Sequence, residues 1–125
     1  MRFPKPVPRL TSRTTEARAF QRAWTLCCHI VDARDRYRCR VCQRRVRRTL
    51  TLCAERLEHH HLVPRSLAPD LVLDVRNLIC CCAECHGKLT RHELVAVGST
   101  AWVVDGTPYL DASGEVRFVP AQSAI

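Results

Sequence analysis

Two pairs of cysteines constrain this chain more than anything else in it. Cys39 and Cys42 form one Cys-x-x-Cys, and Cys82 and Cys85 form another. That spacing lets both thiolates of a pair face one tetrahedral ion, and two pairs complete a closed four-cysteine zinc site. The intervening stretch, 43–81, is longer than in a zinc ribbon, so the clamp must enclose something of its own. A structural zinc of this kind supplies on the order of 10 kcal/mol of apparent folding free energy in small modules. Register needs an argument, because Cys80, Cys81 and Cys82 are contiguous; only Cys82 lies three residues before Cys85. In a strand, Cys80 and Cys82 would share one face and Cys81 the other. Cys27, Cys28, Cys53, Cys80 and Cys81 are expected to be buried as small apolar side chains.

Nine cysteines in 125 residues would also suit a secreted disulfide framework, but an odd number pairs incompletely. The start, MRFPKPVPRL, lacks the apolar core of a signal peptide, and no stretch approaches the length of a membrane span. The expected setting is therefore a reducing, cytoplasmic one with no membrane partner, where close cysteines hold metal. The length suits one domain, 14–125, behind a flexible, basic, Pro-rich arm, 1–13. Formal net charge is +8, which favours anionic partners. Eight arginines fall within 34–48 (Arg34, Arg36, Arg38, Arg40, Arg44, Arg45, Arg47, Arg48), opposed only by Asp35. The plainer reading of such a run is a solvated face.

Along the chain, Thr14 or Thr15 is the expected cap of a helix reaching about Ala33, with Glu16 in its first turn. Phe20, Ala23, Trp24, Cys27, Ile30 and Val31 recur at helical spacing and predict one buried face. Cys27 and His29 read as packing and surface residues. Alternation in RDRYRC predicts a strand entering the first cysteine turn. TLTLC (49–53) and RLEHHHL predict two more, and NLICCC (77–82) a buried one. Residues 63–76 read as a loop, with 71–73 ordered against the core. Residues 83–94 read as a helix weakened early by Gly87. The tail, with turn signals at Asp105-Gly106 and Ser113-Gly114, predicts a short C-terminal β meander.

Taken together, "RDRYRCRVCQ", "LEHHHLVPRS" and "VRNLICCCAECHGKLTRHEL" resemble the HNH endonucleases of the subgroup with two Cys-x-x-Cys knuckles, over about residues 34–94. The resemblance implies an α+β protein with a small ββα-metal core: two strands joined by a long loop, then a helix, around one divalent ion. The N-terminal helix and the tail would flank that core. Carried over by position, the family pattern falls on His60, His61, Leu62, Val63 and Pro64. It implies His60 as a metal ligand, His61 as general base, Asn77 as the asparagine that braces the loop and orients the base, and His86 as a second metal ligand. The step from Asn77 to Cys82 fits the family's spacing and supports the chosen register. His60 stands where relatives often have aspartate, which moves the site toward softer ions. The cofactors implied are a structural Zn2+ and one catalytic divalent cation, Mg2+, Mn2+, Ni2+ or Zn2+. His59 has no counterpart and reads as a bystander. Glu58 shares the face of His60, either as a partner of the metal site or as a solvated carboxylate. His92 reads as surface.

The chemistry stands without the family. Hydrolysing a phosphodiester needs an in-line nucleophile, charge relief on the phosphoryl oxygens and help for the leaving oxygen. One metal can supply the last two, and a base near neutral pKa that stays off that metal can activate the water. Strand alternation separates His60 from His61. Phosphate contacts are expected from Arg36, Arg38, Arg40, Arg44, Arg45, Arg47, Arg48, Arg65, Lys88 and Arg91, with DNA as the partner. The expected activity is DNA nicking or cleavage inside a bacterial or phage-infected cell. A concerted double-strand break needs a homodimer or a larger nuclease or packaging complex. The rival readings are a non-catalytic, zinc-stabilised nucleic-acid-binding module and a histidine metal buffer. The first has no need of His61, Asn77 and His86 together; the second explains neither Asn77 nor the arginines.

Overall fold

The computed structural model describes residues 12–45, 57–99 and 101–123. The expected strand at 49–53, Cys53, Arg47, Arg48 and most of the N-terminal arm lie outside them. Helix α1 runs Ser12–Arg34, so Thr14 and Thr15 are inside the helix rather than capping it. Its buried stripe is narrower than the periodicity predicts. Val31 is fully buried and Trp24 and Cys27 pack beside it, whereas Phe20 and Ile30 are exposed. Burying Val31 contributes about 1.5–3 kcal/mol.

Both helices stop in the same way. At the end of α1, Arg36 N–H reaches Ala33 O and Tyr37 N–H reaches Asp32 O, with Arg36 in the left-handed region at φ 57°. At the end of α2, Ala83–Thr90, His92 N–H reaches Leu89 O and Glu93 N–H reaches Lys88 O, with His92 at φ 58°. Each is a Schellman ending built on a residue other than glycine. The winding at Arg36 and Tyr37 also replaces the expected strand over 34–38: Arg38 makes only an isolated bridge to Arg45.

Strands β1, Glu58–His61, and β2, Leu78–Cys81, pair antiparallel, with His59 opposite Cys80 and His60 opposite Ile79. Every residue of β2 is buried, because β2 lies between two layers. Leu78 and Cys80 meet Val31 of α1, while Ile79 meets Leu89 of α2 and Ala112. Cys81 falls in with Cys39, Cys82 and Cys85. The expected sharing of a face by Cys80 and Cys82 fails because β2 ends at Cys81, so period two does not extend to Cys82. The connection from β1 to β2 contains two 3-10 turns, Pro69–Leu71 and Val75–Asn77, with Leu71 and Val72 buried.

Asp35 ties the layers together. Its carboxylate, buried at the foot of α1, accepts from Arg34, from Arg40 beside the first cysteine turn and from the Cys80 backbone N–H of β2.

Because α2 ends at Thr90 rather than at 94, Leu94–Val97 becomes a strand, β3. It pairs with β6, Arg117–Pro120, and encloses the hairpin of β4, Ala101–Val104, and β5, Thr107–Leu110. The tail is therefore two nested antiparallel pairs and not a meander. The Asp105-Gly106 turn falls where expected, with φ 49° and 81°, the mirror-image geometry a two-residue hairpin favours. No described helix is long and apolar enough to cross a membrane.

Candidate functional site

The four knuckle cysteines converge. The Sγ atoms of Cys39, Cys42, Cys82 and Cys85 all lie within 4.8 Å of one another, and those of Cys42 and Cys82 are 4.0 Å apart. Ligands about 2.3 Å from a tetrahedral zinc stand about 3.8 Å from each other, so the four fit one ion. The turns are built alike: Cys42 N–H points at Cys39 Sγ and Cys85 N–H at Cys82 Sγ, each at 3.5 Å. Such donors favour thiolate. At Cys39 burial raises the pKa, but backbone N–H groups of Cys42, Cys82 and Val41 outweigh it and the net shift is downward. Cys82 also caps α2, so the ion would grip the helix by its first turn.

Strand β1 sorts its side chains by parity. Toward α2, the His60 and His86 rings meet edge to face with centroids 5.4 Å apart. His86 Nδ1 lies 3.1 Å from Glu58 Oε2. A carboxylate can only accept, so Nδ1 carries the hydrogen and Nε2 keeps its lone pair. Burial, and then the neighbouring His86, His61 and His92, push His60 down to about 4, so it is neutral at neutral pH. Two imidazoles with a carboxylate alongside are a fitting donor set for a borderline divalent ion.

Toward α1, His61 stacks on Trp24 with ring centroids 5.4 Å apart and 30° between planes. Its Nε2 lies 3.0 Å from Val72 O. A backbone carbonyl only accepts, which fixes the hydrogen on Nε2 and leaves Nδ1 as the basic nitrogen of the neutral ring. The side chain of Asn77, 1% exposed, hydrogen-bonds to the loop instead of to that ring. Its Oδ1 accepts from Val63 N–H, and its Nδ2 donates to Val63 O and Leu71 O. It therefore holds both ends of the loop that presents Val72 O to His61.

His59 also faces α1, beside Asp32 and edge-on to Trp24. Sequence reasoning missed Asp32, Asp35 and Trp24 as partners; spacing within one segment carries no signal for contacts between segments. His29 and His92 are exposed.

The arginines divide. Arg40 is held inside the fold by Asp35, Ala112 O and Gly114 O. Arg36, Arg38, Arg44, Arg45 and Arg65 are exposed, Arg65 lying over the Phe20 ring. Lys88 pairs with Glu84 and Arg91 with Glu93, both on the surface of α2 or just past it.

Residues 39–92 match the family model described as HNH endonuclease. The matched stretch begins at the first knuckle, contains β1, β2 and α2, and stops at the residue that ends α2; α1 and the nested strands lie outside it. No curated protein and no solved structure matches the chain.

Proposed function

We propose, from the premise that residues 39–92 are an HNH endonuclease segment, that this protein is a metal-dependent endonuclease acting on DNA phosphodiester bonds. A nuclease-type or nucleic-acid-binding role is what the family match carries by itself. The finer reading is supported by one observation above the rest: His61 is anchored through Nε2 to Val72 O, while its strand neighbour His60 turns the other way to His86.

In this reading His61 Nδ1 takes the proton of the attacking water. The Val72 carbonyl and Trp24 hold the ring in place, and Asn77 holds the loop. His60 and His86 Nε2 would hold the divalent cation, which when bound acts as a Lewis acid on the phosphate and leaving oxygen. Glu58, hydrogen-bonded to His86 Nδ1, keeps that tautomer and raises the ring's basicity toward a metal. The exposed arginines contact backbone phosphates, so affinity should fall with salt at a slope of about −0.9 per phosphate on duplex DNA. Nothing in such contacts reads sequence. A cytoplasmic setting and a homodimer or larger complex for double-strand breaks belong to the same proposal.

Supercoiled-plasmid cleavage by metal-depleted protein, with magnesium, manganese, nickel or zinc restored in turn, tests it. Cleavage is expected with at least one ion, and His61→Ala should be slower by about 10²–10⁴-fold. Plasmid that stays supercoiled under every ion while still being bound would make the protein a nucleic-acid-binding module. Equal cleavage by His61→Ala would remove the assigned base.

A further inference from the structure

On the face of β1 turned away from His60 and His86, three more metal-binding side chains converge from three different elements. Asp32 lies in the last turn of α1, His59 in β1, and Cys80 directly opposite His59 in β2. His59 Nε2 is 2.7 Å from Asp32 Oδ1, and the Cys80 thiol donates to the same oxygen at 2.9 Å. The three ligand atoms all lie within 4.8 Å of one another. Cys80 is fully buried and Asp32 is 7% exposed.

The geometry points to a second structural zinc site, formed by Asp32, His59 and Cys80, that staples α1 to the β1–β2 hairpin. It is separate from the four-cysteine cluster: Cys80 packs with Val31 and Leu78, whereas that cluster packs with Cys81. It is also independent of the nuclease reading, since neither His60, His61 nor His86 takes part.

Two considerations support it. Thiolate, imidazole and carboxylate are all ordinary zinc donors. One thiolate and one carboxylate cancel the ion's double charge, so the filled site is neutral, as a buried position requires.

The hydrogen-bonded arrangement is the proton-loaded form of this site. An ionised carboxylate only accepts, so His59 Nε2 and Cys80 Sγ each direct a hydrogen at Asp32. Zinc entry forms bonds to Sγ, Nε2 and Oδ1. The thiol proton leaves to solvent, and the imidazole hydrogen is exchanged from Nε2 to Nδ1. One proton is therefore released for each ion bound.

The test is 113Cd NMR on the cadmium-loaded full chain, with metal analysis of the zinc form. The sites differ in sulfur count: four for the knuckles, one here, none at His60 and His86. Two sulfur-ligated resonances are expected, one in the four-sulfur range and one in the mixed sulfur–nitrogen–oxygen range. Cys80→Ser should abolish only the mixed one and lower tightly held zinc from about two ions to about one. His60→Ala should leave both resonances in place. A wild-type spectrum with the four-sulfur resonance alone overturns the site whatever the variants do, and so does a mixed resonance unaltered in folded Cys80→Ser. In either case Asp32, His59 and Cys80 are a hydrogen-bonded cluster only.

Discussion

Trp24 has an influence on His61 that its place in the sequence does not reveal. It stacks on the ring whose Nε2 is fixed by Val72 O, so the imidazole is held from its face as well as its edge. Trp24→Ala should leave DNA and metal affinity near wild type while lowering kcat by about tenfold or more, the scale of a positioning defect in a reactive group. Trp24→Phe, which keeps an aromatic face, should recover most of it. Equal falls in DNA binding and turnover would instead mean that α1 has come loose. At this scale the sequence was informative where a motif carries order and spacing. The residues that the motif sets apart meet in space, His60 beside His86 and Asn77 hydrogen-bonded to Val63; their roles belong to the proposal. The sequence placed Trp24 on a buried face but was silent on its contact with His61, on the Asp32 partner of His59, and on Asp35, which counted only as one negative charge among eight positive ones. Each of those contacts joins segments separated in sequence, and no local pattern encodes such a meeting.

The elements owe their lengths to their ends. Residues 83–94 have a helical pattern, yet α2 stops at Thr90 because His92 adopts the left-handed conformation and closes a Schellman ending. That stop frees Leu94–Val97 to pair with β6, which turns the expected meander into nested pairs. Gly and Asn are the residues that announce such an ending in a sequence, and neither is present. A left-handed histidine costs about 1 kcal/mol that glycine would not incur. His92→Gly should therefore raise stability by about 0.5–1 kcal/mol, visible as a higher Tm with the fold unchanged. Asp35 predicts the opposite. Its side chain is 1% exposed and is paired with Arg34 and Arg40, themselves 19% and 16% exposed. Asp35→Asn should destabilise by about 3 kcal/mol, the range for stranding buried partners, read from denaturant unfolding. A loss below about 0.5 kcal/mol would show that the arginines find water instead.

Across the molecule, few described residues are fully buried, and several of those are cysteines. A metal at the four cysteines would add a cross-link of another kind to so modest a described core. The four-cysteine cluster joins the turn after α1 to the first turn of α2, so strong chelation should unfold the whole protein cooperatively rather than only inactivate it. Circular dichroism during chelator titration checks this: helical signal and zinc should be lost together. Cys42→Ser should behave as the chelated protein does, and a folded, zinc-free Cys42→Ser chain would contradict the assignment.

The four thiolates are not equally sheltered. Cys39, Cys82 and Cys85 are buried, while Cys42 is exposed. Affinity belongs to the quartet as a whole, but the route by which an ion leaves passes through its least protected corner. An oxidant, an alkylating agent or a competing chelator should engage Cys42 first and take the metal from there. With zinc bound, the lifetime of the folded state under electrophilic stress would thus be set by the accessibility of one sulfur, decoupled from how tightly all four would hold the ion at equilibrium.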